Sequence, residues 1–371
     1  MMNEQNIRVK GIYWKAAGCL LFLYVLIGGM IVPLKSGVTQ LSTTSASSGD
    51  TLAITVTGYN THFAEAKNNR AWLKIDSAHH IQSYNVKAID ENDIVLSFAI
   101  PNAMPTNETP VAATLLIDNE IDGVIVQPNA IFITNTRTDT TASATWMASA
   151  LGDFNKVQGI KFPYRNILNE TIRNTFFHVA LWFAMFALLF AGVYYAIQYL
   201  RTGDYTMDIK SASYTKVAIL YGMMGLLTGA IWGKFTWGTY WPNDIKLNMA
   251  AVAMMMYVAY LILRGSTTDY DKRAKTSASY SIFAFLALIP LLFIIPRIND
   301  SLHPGNGGNP ALGGEDLDHT LRLFFYPSII AQILLGLWMG QLLIRYEAIK
   351  ERLLSKNKIN QTPIVGQSNP I

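Results

Sequence analysis

Cysteine is nearly absent from this chain: Cys19 is the only one among 371 residues. A single cysteine excludes an intramolecular disulfide, a C-x-x-C redox pair and a C-x-x-C-H attachment motif. Charge is also scarce, because 15% of the residues are charged, whereas soluble domains average about 25%. The net charge of +4 is too small to indicate nucleic-acid binding. Apolar residues make up 51% of the chain, which is typical of a protein that crosses a membrane several times.

Long apolar segments account for much of this composition. A transmembrane helix needs about 17–25 apolar residues, and six segments meet that length. They lie at residues 16–34, 177–200, 215–232, 246–263, 279–296 and 322–344. The first has no small-x-small cleavage pattern after it, so we interpret it as an uncleaved anchor. The predicted fold class is therefore a polytopic α-helical membrane protein with six transmembrane helices.

Basic residues predict how the spans are oriented. Lys and Arg concentrate before the first span, between the second and third, and after the fourth and sixth. The opposite short loops hold only Lys234, Lys246, Arg297 and Arg322. Because basic loops stay in the cytoplasm, both termini, residues 1–15 and 345–371, are predicted to be cytoplasmic. The segment 35–176 and the loops 232–248 and 297–321 are then predicted to face outward.

The outward segment has a soluble domain's pattern. Residues 36–50 are small and polar, which is typical of a linker. Alternating apolar runs follow at residues 52–59, 71–75, 81–88, 94–100, 112–117 and 124–134. Short strands at this spacing predict that residues 35–138 form an inserted, extracytoplasmic β-sandwich-like domain with antiparallel strands, for which an immunoglobulin-like pattern is one option.

The connector 139–176 between this insert and the second span has an amphipathic pattern. Trp146, Leu151 and Phe154 fall on one face if residues 140–155 are helical. Such a helix has two placements, flat on the outer leaflet or with its apolar face covering the predicted β-domain. The pattern does not choose between them.

An aromatic-rich loop follows the third span. Its large rings are Trp232, Trp237, Tyr240 and Trp241. Indole and phenol rings favour the membrane–water interface, where an apolar ring lies beside a polar N–H or O–H group. A row of these rings there predicts a flat surface suited to a large planar ligand.

Two histidines are predicted to lie on the same side of the membrane as that loop. His178 begins the second span, and His303 lies in the loop 297–321. Neutral imidazole is a common ligand of haem iron, so the pair beside the indoles suggests a bound porphyrin. His79 and His80 point to opposite faces of a strand and are predicted to be a solvated pair rather than a metal site. His62 is predicted to be solvated in the same way.

The motif from Trp237 to Asn248 resembles the cytochrome c maturation haem-handling family CcmC, within the CcmC/CcmF/CcsA group that carries a tryptophan-rich WWD motif. The family pattern is W-G-x-W-W-x-W-D-x-R-L-T, and this chain has W-G-T-Y-W-P-N-D-I-K-L-N. Tyr240 and Asn243 replace tryptophans, and Lys246 replaces the arginine. The resemblance covers residues 160–345 and, weakly, the first span, and it does not extend to the insert 36–140.

The resemblance implies a ligand set. His178 and His303 match the family's two haem-ligating histidines, so both are expected to ligate the iron of haem b axially. The four rings of the aromatic loop and Lys246 are expected to contact the porphyrin. Lys234, Lys246, Arg297 and Arg322 are the alternatives for receiving propionates. Asp244 either orients a ligand or a partner protein, or caps the helix that follows it.

By the same resemblance, residues 177–344 form a five-helix haem-handling domain that binds haem without altering it chemically, so no enzyme activity is expected. The protein is expected in the bacterial cytoplasmic membrane, where it presents haem at the outer face to a periplasmic chaperone (CcmE-like). An ABC transporter (CcmA/CcmB-like) is the other expected partner, and membrane lipid surrounds the spans. The alternatives are a transporter or permease subunit, a membrane-anchored sensor with an extracytoplasmic binding domain, and a haem-using quinol enzyme.

Overall fold

The computed structural model describes residues 11–106, 108–136, 146–148, 151–156, 159–303 and 317–361, with side chains described to residue 353. The chain forms two compact units. One is Val32–Glu170, and the other combines Met1–Ile31 with Thr171–Ile371. The first unit thus contains the predicted insert together with most of the connector 139–176.

Within the described part of the helical unit, six helices are long and apolar enough to cross a membrane, which agrees with the six predicted spans. They are α1 (Ile12–Ile31), α2 (Ala180–Thr202), α3 (Tyr205–Trp237), α4 (Ile245–Ser266), α5 (Tyr270–Ile289) and α6 (His319–Gln361).

Helix α3 begins ten residues before the predicted span at 215–232. Asp204 caps it, because its carboxylate accepts a hydrogen bond from the Thr206 amide at 2.8 Å. Inside the first turn, Asp208 is buried and pairs with Arg264 through two hydrogen bonds of 2.8 and 2.6 Å. An apolarity pattern detects only the centre of such a helix, since its polar first turns are stabilised by caps and ion pairs.

Two helices of this unit carry distorted turns at one end. A 3₁₀ turn (Asn169–Asn174) and a π turn (Thr175–Val179) precede α2. A second π turn (Pro290–Ile294) and a 3₁₀ turn (Ile295–Arg297) follow α5. Proline lacks the amide hydrogen needed in a helix interior, which explains why α5 changes its hydrogen bonding at Pro290. Such π turns occur frequently at functional sites.

The described residues of the unit Val32–Glu170 form ten strands in two sheets. The strands are β1 (Gly37–Leu41), β2 (Ser45–Ser47), β3 (Thr51–Tyr59), β4 (Arg70–Lys74), β5 (His79–Gln82), β6 (Asn85–Ala88), β7 (Asp93–Ala99), β8 (Val111–Asn119), β9 (Gly123–Thr134) and β10 (Met147–Ala148). One sheet has the order β1-β3-β7-β6, and the other has the order β10-β5-β4-β8-β9-β2.

Both sheets contribute to one hydrophobic core. Ile54 and Leu96 enter it from the first sheet, and Leu73 and Ile117 enter it from the second; all four are fully buried. Burial alternates along β3, as expected of a strand with one face towards a core. Each fully buried aliphatic side chain of this kind contributes about 1.5–3 kcal/mol.

The predicted linker 36–50 is wrong, because it contains strands β1 and β2. Strand β1 pairs with β3, and β2 pairs with β9 in parallel, so the predicted fully antiparallel arrangement is also wrong at this edge. Small polar residues suit an edge strand whose outer side meets water. Their composition alone therefore does not separate a linker from a strand.

The predicted helix over 140–155 is also wrong for those of its residues that the structure describes. Met147–Ala148 forms β10 against β5, and residues 151–156 are not helical. The Trp146 Nε1–H donates to the Ala103 carbonyl at 2.9 Å, and the ring packs on the core. Phe154 meets Trp72 edge-on at 5.7 Å. The apolar side chains thus cover the β-rich unit, and strand pairing replaces helical hydrogen bonds.

The histidines of this unit do not form a metal site. His79 donates from Nδ1 to the Asp76 carboxylate at 2.7 Å, and His62 Nδ1 lies 2.8 Å from Asp122 Oδ1. The prediction of a solvated pair is wrong for His80, which is 5% exposed. Across the described ranges, no group of three or more His, Cys, Asp or Glu side chains is placed to hold a metal ion.

Asp118 is fully buried and joins the segment 151–156 to the sheet. It accepts from Arg70 Nη2 at 2.5 Å, from the Asn155 amide at 2.9 Å and from Asn155 Nδ2 at 3.0 Å. Asp118→Ala leaves these donors unpaired, which costs about 1–3 kcal/mol. We expect trypsin to cleave after the exposed Lys156 about tenfold faster, because the segment opens locally more often.

Asp76→Ala is the matched control, because the Asp76 side chain is half exposed and contacts only its own turn. Cleavage after Lys156 is measured by mass spectrometry of the intact protein over time. An unchanged rate in Asp118→Ala would contradict this role of the carboxylate.

Candidate functional site

One cavity of about 300 Å³ lies where α2, α3 and α4 meet the distorted end of α5. This volume is at the lower end of the range for small-molecule sites. Apolar and aromatic residues form most of its wall, and its ionisable residues are His178, His303 and Lys246. We call it the histidine cavity. The loop that follows α5 thus brings His303 to the same space as the start of α2.

The surroundings of His178 determine which ring nitrogen faces a ligand. Its Nδ1 lies 3.1 Å from Thr228 Oγ1, and that hydroxyl donates its one hydrogen to the Met224 carbonyl at 2.9 Å. The Thr228 oxygen therefore accepts from His178, which places the imidazole proton on Nδ1. Nε2 then carries the lone pair, as a metal ligand requires.

Aromatic rings hold the His178 imidazole on two sides. Trp182 and Trp232 both meet it edge-on, at centroid distances of 6.3 and 5.7 Å. Trp232 is itself fixed, because its Nε1–H donates to Thr171 Oγ1 at 3.0 Å. This packing limits ring rotation and preserves the orientation that the Thr228 hydrogen bond selects.

Two glycines of α3 allow this close packing. A Cβ atom at Gly229 would lie 2.7 Å from His178 Cε1, and one at Gly225 would lie 2.9 Å from Trp182 Cε2. Real Cβ atoms do not approach that closely, so only glycine leaves room for both rings. The Gly-x-x-x-Gly spacing places both on one helix face, as in other close contacts between membrane helices.

Asp244 organises the other side of the cavity. It is 2% exposed and caps α4, where Oδ1 accepts from the Lys246 and Leu247 amides at 2.9 and 3.3 Å. Oδ2 accepts from Ser301 Oγ and from the Leu302 amide, both at 2.7 Å. The His303 Nδ1 lies 3.0 Å from Oδ1. The predicted helix cap is thus confirmed, and the same carboxylate also orients His303.

The charge states of Asp244 and His303 follow from their burial and hydrogen bonding. Burial alone would raise the pKa of Asp244, but hydrogen bonds from Ser301 and Leu302 outweigh it and lower the pKa below its usual value. Burial lowers the pKa of His303, and the Asp244 carboxylate only partly opposes that change. At neutral pH the pair is therefore a carboxylate and a neutral imidazole, with Nδ1–H donating to Asp244 and the lone pair on Nε2.

The aromatic residues of the loop occupy different places. Trp241 lines the cavity, and its Nε1–H donates to Asn248 Oδ1 at 3.1 Å. Trp237 packs against the His303 ring, with 4.9 Å between the two ring centroids. Tyr240 lies outside the cavity lining, 61% exposed, with Lys234 Nζ above its ring. One ring thus forms the wall, and Trp232 and Trp237 each support a histidine.

The four basic residues considered as propionate ligands differ in whether they line the cavity. Lys246 lines the cavity. Lys234 donates from Nζ to the Gly238 carbonyl at 2.9 Å, Arg297 is exposed and Arg322 is half-buried, and none of these three lines the cavity. Lys246 is therefore the basic side chain best placed to meet an anionic group of a ligand in this space.

Sequence reasoning missed part of the wall. Trp182 and Phe186 follow His178 at intervals of four residues and line the cavity with it, on one face of α2. Phe293 and Pro296 belong to the distorted turns after α5. The four-residue spacing and the Gly225–Gly229 pair were visible in the sequence, whereas the contribution of the turns depends on where α5 ends.

A sequence profile of the family described as Heme exporter protein C matches residues 129–359, more than half of the chain. The chain belongs to the Heme exporter protein C family. The resemblance inferred from the aromatic motif and the histidines is thereby confirmed.

Individual relatives agree with this assignment. Heme exporter protein C of Bradyrhizobium diazoefficiens is 24% identical over 148 residues, 40% of this chain and 56% of that protein. Its counterpart from Haemophilus influenzae is 25% identical over 165 residues, 43% of this chain and 66% of that protein. The cytochrome c biogenesis protein CcsA of Prochlorococcus marinus is 32% identical over 84 residues, 22% of this chain and 27% of that protein. The chain spans between about half and two thirds of the length of the first two relatives.

Gly229→Ala tests the close packing against His178. The added methyl group overlaps the imidazole, so we expect the free energy of unfolding to fall by about 1–3 kcal/mol. The measurement is thermal unfolding of the purified protein in detergent. Gly265→Ala in α4 is the control, because a Cβ there meets nothing within 4 Å. It should leave stability unchanged or raise it by up to about 1 kcal/mol. Equal effects of the two substitutions would contradict the packing argument.

Acidification tests the state of His303. Since its folded-state pKa is lower than the ordinary value of 6.5, the neutral ring stabilises the fold above that pH. This contribution decreases as the pH falls through about 6.5 towards 5, because the unfolded state then binds more protons. We expect the melting temperature to fall less over this range in His303→Gln than in the wild type. Identical pH profiles would contradict the assignment.

Proposed function

We propose that this protein binds haem b in the histidine cavity and presents it at the membrane surface during cytochrome c maturation. The observation that supports this most strongly is that two imidazoles at one cavity form equivalent hydrogen bonds. Each has its Nδ1–H engaged by an oxygen, Thr228 for His178 and Asp244 for His303. Each therefore offers Nε2 as the iron ligand.

The rest of the cavity fits a porphyrin. Its wall is aromatic and aliphatic, which suits the macrocycle, and Lys246 offers a positive charge to a propionate. The volume of about 300 Å³ encloses part of such a large ligand, and Trp241 on the wall is 43% exposed. Partial enclosure supports temporary holding and transfer rather than permanent burial.

The residues perform binding and orientation. The Asp244 and Thr228 oxygens hold the two imidazoles neutral and correctly turned. The indoles of Trp182 and Trp232 restrict the His178 ring. When bound, haem would supply the iron that His178 and His303 would ligate. The chain contributes ligation and apolar contact, and the proposal includes no chemical change of the haem by the protein.

The placement and partners in this proposal follow the family. We place the protein in the bacterial cytoplasmic membrane with both termini inside, so that the cavity and the unit Val32–Glu170 face outward. The acceptor is a CcmE-like periplasmic haem chaperone, and a CcmA/CcmB-like ABC transporter assists in loading it. The names of the relatives, which refer to haem export and cytochrome c biogenesis, support this.

Substitution of the two histidines tests the proposal directly. We expect His178→Ala and His303→Ala each to weaken haem binding at least about tenfold, since changes around metal ligands alone cost 10–100-fold. Haem is titrated into the purified protein, and binding is followed by the Soret absorbance. The control is His319→Ala, because His319 is exposed and does not line the cavity. Wild-type affinity and spectrum in both cavity variants would refute ligation of the iron by this pair.

A further inference from the structure

A second cavity, of about 260 Å³, lies at the other end of the helical unit. It is lined by the start of α3, the end of α4, the start of α5 and the later part of α6. The histidine cavity uses the end of α3, the start of α4 and the end of α5. Because these consecutive helices run in alternating directions, the two cavities lie at opposite ends of the bundle. We call the second one the basic cavity.

Three of the six charged residues that line the basic cavity take part in ion pairs within the protein. Lys216 Nζ donates to Glu347 at 2.7 Å. Arg264 forms its two hydrogen bonds with the buried Asp208. Charges paired in this way bring little net attraction for a ligand.

The remaining charges leave an excess of positive charge. Arg273 and Lys350 line the cavity, and the remaining carboxylate, Glu351, accepts a hydrogen bond from the Tyr270 hydroxyl at 2.8 Å. Two cations against one carboxylate in a partly enclosed space favour an anion, because water screens charges less there.

The Arg273 guanidinium is held in place and has an N–H group available for an anionic ligand. Its guanidinium lies over the Tyr270 ring at 4.5 Å, and that ring is fixed through the Tyr270–Glu351 hydrogen bond. The Arg273 Nε is buried and has no hydrogen-bond partner among the described residues. A buried N–H without a partner is costly, so this atom indicates a missing acceptor.

We propose that the basic cavity binds a phosphate group, with Arg273 as its main ligand and Lys350 as a second charge. The planar guanidinium matches the geometry of phosphate oxygens, and the ammonium adds a point charge. Basic pockets between transmembrane helices on the cytoplasmic side commonly hold lipid headgroups. The phosphate therefore comes from an anionic lipid headgroup or from free phosphate in solution.

The test uses the full-length protein in detergent and two probes, phosphatidylglycerol and inorganic phosphate. Native mass spectrometry across a titration gives the dissociation constant for each. We expect Arg273→Gln to weaken binding about tenfold or more, because a charge-assisted hydrogen bond is lost. Lys272→Gln is the matched control, since Lys272 is the adjacent residue, is exposed and does not line the cavity. Arg273→Lys keeps the charge without the planar fork and should bind with intermediate affinity.

The results distinguish a lipid headgroup from free phosphate and show whether the proposal holds. Tight binding of phosphatidylglycerol that depends on Arg273 supports a lipid headgroup, and the same result with inorganic phosphate supports a soluble source. Should Arg273→Gln fail to fold by circular dichroism, Lys350→Gln takes its place with the same expectation. The proposal is wrong if the wild type binds neither probe, or if binding is equal in Arg273→Gln and Lys272→Gln.

Discussion

The buried carboxylate of Asp244 is the contact on which the arrangement of the histidine cavity depends. It receives hydrogen bonds from the first turn of α4 and from Ser301, Leu302 and His303, which lie far along the chain. A carboxylate buried without donors would be protonated or expelled, so each donor helps to keep it charged. In turn, the charged carboxylate fixes the helix start and the loop together. The position of His303 is therefore a property of α4 as much as of its own loop.

The opposite side of the cavity is built by packing rather than by charge. Gly225 and Gly229 let α3 approach α2 so closely that Trp182 and His178 rest against helix backbone. Thr228, between the two glycines, supplies the oxygen that selects the tautomer of His178. A five-residue stretch of one helix therefore determines where the imidazole lies and which of its nitrogens is available. The π turn at Thr175–Val179 places His178 at the entrance of α2.

The sequence predicted the six spans, the main strands and the meeting of two histidines with an aromatic loop, because these features depend on local periodicity and on charge in short loops. It failed where tertiary contacts override composition. The polar residues before Asp50 form edge strands, and Trp146 and Phe154 pack on the β-rich unit instead of forming a helix face. The double role of Asp244 could not be predicted from the sequence either, because its partners Ser301 and Leu302 are more than fifty residues away along the chain.

The two histidines of the cavity differ in how they are attached. His178 belongs to a continuous helical segment and is enclosed by indoles and by the backbone at Gly229. His303 lies outside the helices, where Asp244 accepts a hydrogen bond from its Nδ1 and the Trp237 ring contacts its imidazole. Opening a loop costs far less free energy than disrupting a packed helix pair. Local opening around His303 would therefore widen the cavity on one side while the packed contact between α2 and α3 at Gly225 and Gly229 is kept.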